Sequence, residues 1–270
     1  LAVSNNNSFG NPAFSNAAGG NFGLSASSVA IDAGTTNGLT RFDAVAVQST
    51  ARDMGAFESA FGGDLNTNDF YINDSSTSGD VYTTVVGNDA NDGRTANTPK
   101  RTLTNLLSTY DLDPGDIVYI DAGTNSYGAR IEPSDGDGTP PQPITFAGPT
   151  NGAAAVFAGS AGVRHGFALS NCVNVRIRAL SIRGFTNAVN LVGVSTNNEF
   201  RGLTVLSNPP SSFGRAFQFW GPDVDANRVV SNTMENAGGA GTYFSIYIRD
   251  GDRNVVTNCS ARGATQAAIW

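Results

Sequence analysis

Ile177-Arg178-Ala179-Leu180-Ser181-Ile182 decides the fold, because the apolar positions of this stretch return three more times along the chain. Its first, fourth and sixth residues point inward in our alignment, and the later copies begin at offsets of 23, 29 and 27 residues. The later copies are Phe200-x-x-Leu203-x-Val205, Val229-x-x-Asn232-x-Met234 and Val256-x-x-Cys259-x-Ala261. Periods of this length, made of short strands without helical spacing, are typical of solenoid proteins. We therefore predict that the four copies stack as coils about 4.8 Å apart.

A second apolar series precedes each copy and predicts a further strand in every coil. Its pairs are Phe167/Leu169, Val189/Leu191, Phe217/Phe219 and Ile246/Ile248, and their spacing of two is that of one side of a strand. The sequence thus predicts an all-β solenoid whose coils begin at the apolar stretch Ile144-Thr145-Phe146. Asn232 stands at an inward position, so we expect it to need a buried hydrogen-bond partner, such as a stacked amide.

The composition is that of a turn-rich β protein. Only 14% of the residues are charged, against a usual ~25%, and the chain holds 32 glycines. The net charge of −7 is uneven, because residues 1–165 sum to −10 and residues 166–270, with nine arginines and six acids, sum to +3. The sequence lacks the dense basic patches that bind nucleic acid. It also has no apolar run near the ~18 residues of a membrane span.

Residues 99–110 carry the helical pattern that we predict. The residues that share one side of this segment are Leu103, Leu106, Leu107 and Tyr110. Thr98 is a suitable N-cap, and Pro99 suits the first helical position. Because the first coil of a solenoid exposes a sheet edge and an open core, we predict that this helix caps the N-terminal end of the coils.

Several segments resemble right-handed parallel β-helix proteins of the pectin-lyase-like superfamily. The part of those proteins that precedes the first coils is similar to Gly87–Gly93, Thr98–Leu103, Pro114–Ile120 and Ala122–Thr124. Asn227–Met234, with the spacing Asn-x-Val-x-x-Asn-x-Met, is similar to their repeat unit. The resemblance implies a right-handed parallel β-helix solenoid with an N-terminal capping helix. It implies little about activity, because lyases, hydrolases, epimerases and non-catalytic adhesins share this scaffold.

The N-terminal part of the chain resembles the closing segment that follows the last coil in large secreted bacterial β-helix proteins. The stretches that carry this likeness are Asn11–Phe14, Ala30–Gly34 and Asp53–Glu58. Residues 1–58 are therefore expected to be the C-terminal end segment of a preceding β-helix module.

The domain organisation that we expect follows from these resemblances. Residues 59–68 form a linker, residues 69–143 form the lead-in and capping region of the second β-helix, and residues 144–270 form its coils. The chain begins with Leu1 and stops inside the apolar stretch Ala268–Trp270. We therefore expect coils truncated at the C-terminus, with flanking β-helix modules of the same polypeptide as partners.

Four acids are the candidate catalytic residues. Counted back from equivalent asparagines of two neighbouring coils, Asp223 aligns with Asp250, and Asp225 aligns with Asp252. Enzymes of the resembled superfamily use carboxylates from adjacent coils to hold calcium beside a uronate, or as acid and base at a glycosidic bond. The resemblance makes calcium the candidate cofactor, with Asp223 and Asp250 as its ligands. The alternative is that these acids only form turns.

Arg178 and Arg201 follow equivalent apolar positions, so we predict that they lie side by side on the outer surface. Two guanidinium groups in this arrangement can bind carboxylates of an acidic glycan. Arg176, Glu199 and Arg228 predict a neighbouring outward column of alternating charge, worth well under ~1 kcal/mol per pair. The alternative is that the paired arginines are simply solvated.

Two aromatic residues are further candidates for glycan binding. Trp220 and Tyr247 fall on the outward side of their strands, where an aromatic ring can stack on a pyranose. The alternative is that both pack in the core or against loops. His165, the single histidine, has no partner motif, and we expect it to be structural or solvated rather than catalytic.

These patterns predict an extracellular β-helix module, secreted or attached to the cell surface. We expect it to contact a polysaccharide or cell-surface glycan in an adhesin-like or surface-structural role, without catalysis. The alternatives are a polysaccharide lyase or glycoside hydrolase that acts on an acidic glycan, and a purely structural stalk.

Overall fold

The chain divides into two compact units, Leu1–Asn66 and Thr67–Trp270. The computed structural model describes residues 14–16, 21–24, 69–110, 112–127, 142–159, 164–206, 214–235, 244–263 and 267–269. In the first unit, β1 (Phe14–Asn16) pairs antiparallel with β2 (Asn21–Leu24). The rest of the expected end segment and the whole expected linker, residues 59–68, lie outside the described residues. Both therefore stay predictions.

In the second unit, three parallel sheets form the walls of a β-helix. Sheet 1 contains β3 (Asp69–Ile72), β4 (Ile117–Ile120), β6 (Ile144–Ala147), β9 (Val175–Arg178), β12 (Glu199–Arg201), β15 (Arg228–Val230) and β18 (Val255–Thr257). Sheet 2 contains β5 (Gly123–Tyr127), β7 (Ala155–Gly159), β10 (Leu180–Arg183), β13 (Thr204–Leu206), β16 (Thr233–Glu235) and β19 (Ser260–Arg262). Sheet 3 contains β8 (His165–Ser170), β11 (Asn187–Val192), β14 (Arg215–Trp220), β17 (Phe244–Arg249) and β20 (Ala267–Ile269). The predicted parallel β-helix is confirmed.

The predicted register of the coils is also confirmed. In sheet 1, Ile177 pairs with Phe200, Phe200 with Val229, and Val229 with Val256. The second series of apolar residues forms sheet 3, where Phe167, Val189, Phe217 and Ile246 lie in one column. The inward side chains of all three sheets belong to one buried core. Stacking therefore buries the apolar side that no single coil could bury.

The chain passes from sheet 1 to sheet 2 through a left-handed backbone conformation in four successive coils. Ala179, Gly202, Ser231 and Asn258 occupy this position, with φ of 55°, 64°, 54° and 52°. A left-handed conformation is unfavourable for residues with a side chain. The backbone N–H of Ala179, however, donates to the Arg201 carbonyl at 3.0 Å, and that of Ser231 donates to the Thr257 carbonyl at 3.0 Å. These bonds between coils offset the conformational cost.

Asparagines stabilise the opposite turns, which lead from sheet 3 back to sheet 1. The Asn227 Oδ1 accepts the backbone N–H of Asn198 at 3.0 Å, and the Asn254 Oδ1 accepts that of Asn227 at 3.0 Å. Asn232 does not join such a stack of amides. Its Oδ1 accepts the Leu203 N–H at 2.7 Å, and its Nδ2 donates to the Phe200 carbonyl at 2.9 Å. Its buried amide is satisfied by the backbone of the preceding coil.

The helix is shorter than predicted, and its predicted N-cap is wrong. α1 spans Leu103–Thr109, and the N-cap is Thr102, whose Oγ1 accepts the Asn105 N–H at 3.2 Å. Residues before Thr102 do not start a helix, because Lys100 forms a parallel bridge with Ile72 and extends the chain beside sheet 1. Leu103 and Leu106 are fully buried in the same core as the coils. The helix thus packs where a cap is expected.

The parallel sheets begin earlier than Ile144, the predicted start of the coils. β3 pairs with β4, and β4 pairs with β6, so the lead-in region supplies the first strands of sheet 1. These strands are 48 residues apart between Asp69 and Ile117, and no regular offset reveals them. No helix in the described part of the chain is long and apolar enough to cross a membrane.

Candidate functional site

The four predicted glycan-binding residues lie on two different sheets. Arg178 and Arg201 pair directly on the outer surface of sheet 1, as predicted. Trp220 and Tyr247 lie on the outer surface of sheet 3, in β14 and β17. The structure therefore presents two separate candidate surfaces rather than one.

The first candidate surface surrounds Trp220, and we call it the tryptophan face: the outward side chains of Arg215, Gln218, Trp220, Tyr247 and Arg249. Trp220 pairs with Arg249 and Gln218 pairs with Tyr247 across β14 and β17. The indole is 42% exposed, and the Arg249 Cζ lies 4.7 Å from its ring centroid. Arg249 also forms an ion pair with Asp250, at 3.3 Å between Nε and Oδ2. The face thus joins an exposed aromatic ring to charged hydrogen-bond donors.

Tyr247 is covered by its neighbours on this face. The Arg215 Cζ lies 4.2 Å from the tyrosine ring centroid, and only 7% of Tyr247 is exposed. Arg215 donates from Nη1 to the Gln218 Oε1 at 2.6 Å, and Asn187 donates to the same oxygen at 3.0 Å. Burial lowers the pKa of the Arg215 guanidinium from its ordinary value, and the nearby charge of Arg164 acts in the same direction. Trp220 is therefore the aromatic residue of this face that a ligand can reach.

His165 lies at the edge of the same sheet. It pairs in register with Asn187, whose Nδ2 is 3.3 Å from the His165 Nδ1. This contact places the histidine in the polar network of sheet 3.

The second candidate surface lies on sheet 1, and we call it the arginine face: the outward side chains of Arg176, Arg178, Glu199, Arg201 and Arg228. The predicted column of alternating charge is confirmed, because Glu199 pairs in register with Arg176 and Arg228. The Glu199 carboxylate contacts the Arg201 Nε at 3.0 Å and the Arg228 Nη1 at 3.2 Å. The hydrogen bond from Arg201 and the surrounding arginine charges lower the pKa of Glu199. One carboxylate thus links arginines from two strands.

The four candidate acids lie in the turns between sheet 3 and sheet 1. Asp225 contacts Asp252 of the next coil through the backbone, because the Asp225 carboxylate accepts the Asp252 backbone N–H. The other oxygen of Asp225 lies 3.6 Å from the Arg253 Nη2, while Asp250 pairs with Arg249. Asp223 is exposed, and its backbone carbonyl accepts the Ser195 N–H at 3.1 Å. Asp225 and Asp250 are thus paired with arginines rather than with each other.

Within the described ranges, no group of three or more His, Cys, Asp or Glu side chains is arranged to hold a metal ion. Calcium usually takes six or more oxygen ligands. The described carboxylates therefore do not fit a calcium site built from several acids, and coordination by Asp223 and Asp250 stays a prediction.

Sequence reasoning missed five residues at or beside these surfaces. Arg249 and Arg215 were not singled out, although the offset of 29 residues from Trp220 to Arg249 equals that from Phe217 to Ile246. The tyrosines Tyr71, Tyr82 and Tyr119, which adjoin the arginine face, were also missed. They belong to the lead-in region, where no periodic spacing reveals which residues are neighbours.

No protein-family model and no curated protein matches the sequence. A solved structure named "Rhamnogalacturonan lyase" is 16% identical, with a TM-score of 0.49 over 75% of this chain and 53% of that chain. Another, "Catalytic domain of GH87 alpha-1,3-glucanase in complex with nigerose", is 13% identical, with a TM-score of 0.26 over 62% of this chain and 34% of that chain. The chain spans about half of the first structure and about a third of the second.

The order of the strands in the three sheets defines the fold class of the second unit, which is a parallel β-helix solenoid. This is the fold that the resemblance to the pectin-lyase-like superfamily implies.

Proposed function

We propose that the chain is an extracellular module that binds polysaccharide in an adhesin-like or surface-structural role and does not cleave it. Trp220 carries this proposal, since it presents an exposed indole on a ridged sheet surface between charged and amide side chains. Aromatic rings bind the apolar faces of sugars, while side chains such as Arg249 and Gln218 can bond to hydroxyl groups. Binding over such a surface is shallow and extends along the stacked coils.

The arrangement of the acids supports binding over cleavage. Glycosidases need two carboxyl groups that face each other across the scissile bond. Asp225 is hydrogen-bonded to the backbone of the next coil, and both Asp225 and Asp250 are paired with arginines. Carboxylates held in this way stabilise turns, which is the alternative that the sequence offered for them.

A glycan array on the 270-residue chain, combined with an assay for released sugars, tests the proposal. We expect binding without product, and we expect the Trp220→Ala variant to lose about tenfold or more in affinity, since a stacked aromatic contact and its buried area are removed. The matched control is Val194→Ala. Val194 lies in the turn that follows β11 of sheet 3, and its apolar side chain is 53% exposed. The control variant should bind as the unmodified chain does.

Two other results would each contradict this proposal and favour one of the alternative functions. Release of unsaturated uronides or new reducing ends that Asp250→Ala abolishes would identify a lyase or hydrolase. Absence of any glycan binding would leave the purely structural stalk.

A further inference from the structure

We propose that sheet 1 carries a second binding surface, distinct from the tryptophan face, that takes a polysaccharide with one carboxylate on each sugar ring. The surface extends the arginine face across the lead-in strands and consists of Tyr71, Tyr119, Tyr82, Arg178 and Arg201. This second proposal rests on the proposed function, because it assumes a polysaccharide partner. It goes further by stating that the polysaccharide is negatively charged.

Four of the five residues lie in one row across sheet 1, and Tyr82 lies beside this row. Tyr71 pairs in register with Tyr119, Tyr119 with Ala147, Ala147 with Arg178, and Arg178 with Arg201. All of these positions face outward, since their neighbours along each strand, such as Val118 and Ile177, are buried in the core. Successive members lie about one strand spacing apart, roughly 4.8 Å.

Tyrosine rings make up the first half of the row. The Tyr71 and Tyr119 rings are stacked with centroids 5.5 Å apart, and the Tyr82 and Tyr119 centroids are 4.8 Å apart. The Tyr82 hydroxyl donates to the Gly148 carbonyl at 2.9 Å, which holds its ring beside Ala147, and Ala147 is only 1% exposed. The Tyr82 ring thus covers the position of the row that Ala147 occupies, between Tyr119 and Arg178.

The tyrosine hydroxyls near Arg178 remain hydrogen-bond donors at neutral pH. Burial raises the pKa of Tyr71, Tyr82 and Tyr119 above the ordinary value. The charge of Arg178 acts in the opposite direction on the pKa of Tyr82 and Tyr119.

Arginines make up the second half of the row, and Arg178 has no carboxylate partner among the described residues. Glu199 is occupied by Arg201 and Arg228. The outward charged side chains of sheet 1, which are four arginines with Glu199 and Asp69, sum to +2 in a chain of net charge −7. An anionic ligand is therefore attracted to this surface and repelled by most of the remaining chain.

The combination of rings and arginines favours a uronate over other anions. A sugar ring can pack on a tyrosine, while a guanidinium forms two parallel hydrogen bonds with a carboxylate. The strand spacing of about 4.8 Å is close to the length of one sugar in an extended chain, so successive sugars can meet successive members of the row. Glu199, which lies beside this row in the column of Arg176 and Arg228, adds a negative charge that disfavours a densely sulfated chain.

Calorimetric titration of the 270-residue chain tests the proposal with three probes: oligogalacturonate, its methyl ester and dextran sulfate. We expect oligogalacturonate to bind, and the uncharged ester to bind at least about tenfold more weakly, because a charge-assisted bond is lost. Arg178→Ala should weaken oligogalacturonate binding by a similar factor. Arg183→Ala is the matched control, because Arg183 is an exposed arginine of the same coil on sheet 2, and it should leave binding unchanged.

Three results would overturn the proposal: no oligogalacturonate binding, equal binding of the ester or of dextran sulfate, or equal losses in Arg178→Ala and Arg183→Ala. The Trp220→Ala variant separates this proposal from the preceding one. If oligogalacturonate binding depends on Arg178 but no glycan binding depends on Trp220, the second surface stands and the tryptophan face fails. The reverse pattern would leave the tryptophan face and remove the surface on sheet 1.

Discussion

Single buried amides hold neighbouring coils in register. Asn232 is 1% exposed and bonds through both of its side-chain atoms to the backbone of the preceding coil, at Leu203 and Phe200. A buried backbone N–H that loses its acceptor costs far more free energy than an exposed one, because water cannot replace the bond.

We therefore expect Asn232→Ala to lower the free energy of unfolding by about 1–3 kcal/mol, since the Leu203 N–H and the Phe200 carbonyl both lose their partner. Urea denaturation monitored by circular dichroism measures this change. Thr233→Ala, an outward position on the adjacent residue, should change it by less than about 0.5 kcal/mol. Equal effects of the two variants would show that the amide bonds do not stabilise the coil.

Sequence could reveal that position 232 needs a partner, but not which one. An inward asparagine in an apolar pattern predicts a hydrogen bond, since buried polar groups are rarely unsatisfied. The choice between a stacked amide and a backbone group depends on where the preceding coil turns. Gly202 turns in the left-handed conformation just before Leu203 and leaves that N–H free to meet the asparagine.

At the scale of elements, Glu199 links two strands of sheet 1 and lies beside a third. It lies in β12 and contacts Arg201 of its own strand and Arg228 of β15, while Arg176 of β9 lies in register beside it. Its lowered pKa means that the ionised form is favoured by folding, so its contribution to stability is present above the unfolded pKa of about 4.3 and is lost as pH falls through the folded pKa.

The Glu199→Gln variant should accordingly be less stable than the unmodified chain at neutral pH, by no more than about 1 kcal/mol because its partners are largely exposed. The difference should shrink as the pH falls below about 4, where the glutamate of the unmodified chain becomes protonated. Thermal unfolding curves over a pH series measure it. A difference that stays constant down to acidic pH would contradict the linkage.

The sequence predicted elements well wherever the repeat continued. The columns of sheets 1 and 3 follow from regular apolar offsets, so Arg178 and Arg201 were correctly placed side by side. Offsets carry no such information before Ile144, where the lead-in strands β3 and β4 are far apart in sequence. The same loss of periodicity concealed the bridge between Lys100 and Ile72, which delays the start of the helix to Leu103.

For the whole molecule, stability depends on contacts between sheets as much as between coils. Phe200 of sheet 1 is fully buried, and its ring centroid lies 5.8 Å from that of Phe217 and 6.0 Å from that of Phe219 in sheet 3. In a solenoid each repeat contacts only its neighbours, so a cavity in one coil weakens its junctions with both adjacent coils.

Phe200→Ala should therefore destabilise the chain by about 3–5 kcal/mol, the usual cost of removing a buried aromatic side chain. Val194→Ala, in an exposed turn, serves as the control and should cost less than about 0.5 kcal/mol. The midpoint of urea unfolding reports both changes. A small effect of Phe200→Ala would mean that the coils unfold independently of this contact between sheets.

The corners of the β-helix differ in how they accommodate extra residues. One or two residues connect sheet 1 to sheet 2 in the four coils from β9 onward, whereas three residues connect β10 to β11 and eight connect β13 to β14. The connection from sheet 1 to sheet 2 leaves no room for an insertion, because the backbone N–H of its left-handed residue donates a hydrogen bond to a carbonyl of the next coil. Added loop length costs little where the connection already varies in length from coil to coil. Foreign peptides grafted between Glu235 and Phe244 should thus be displayed without loss of the fold, which makes this corner suitable for engineering.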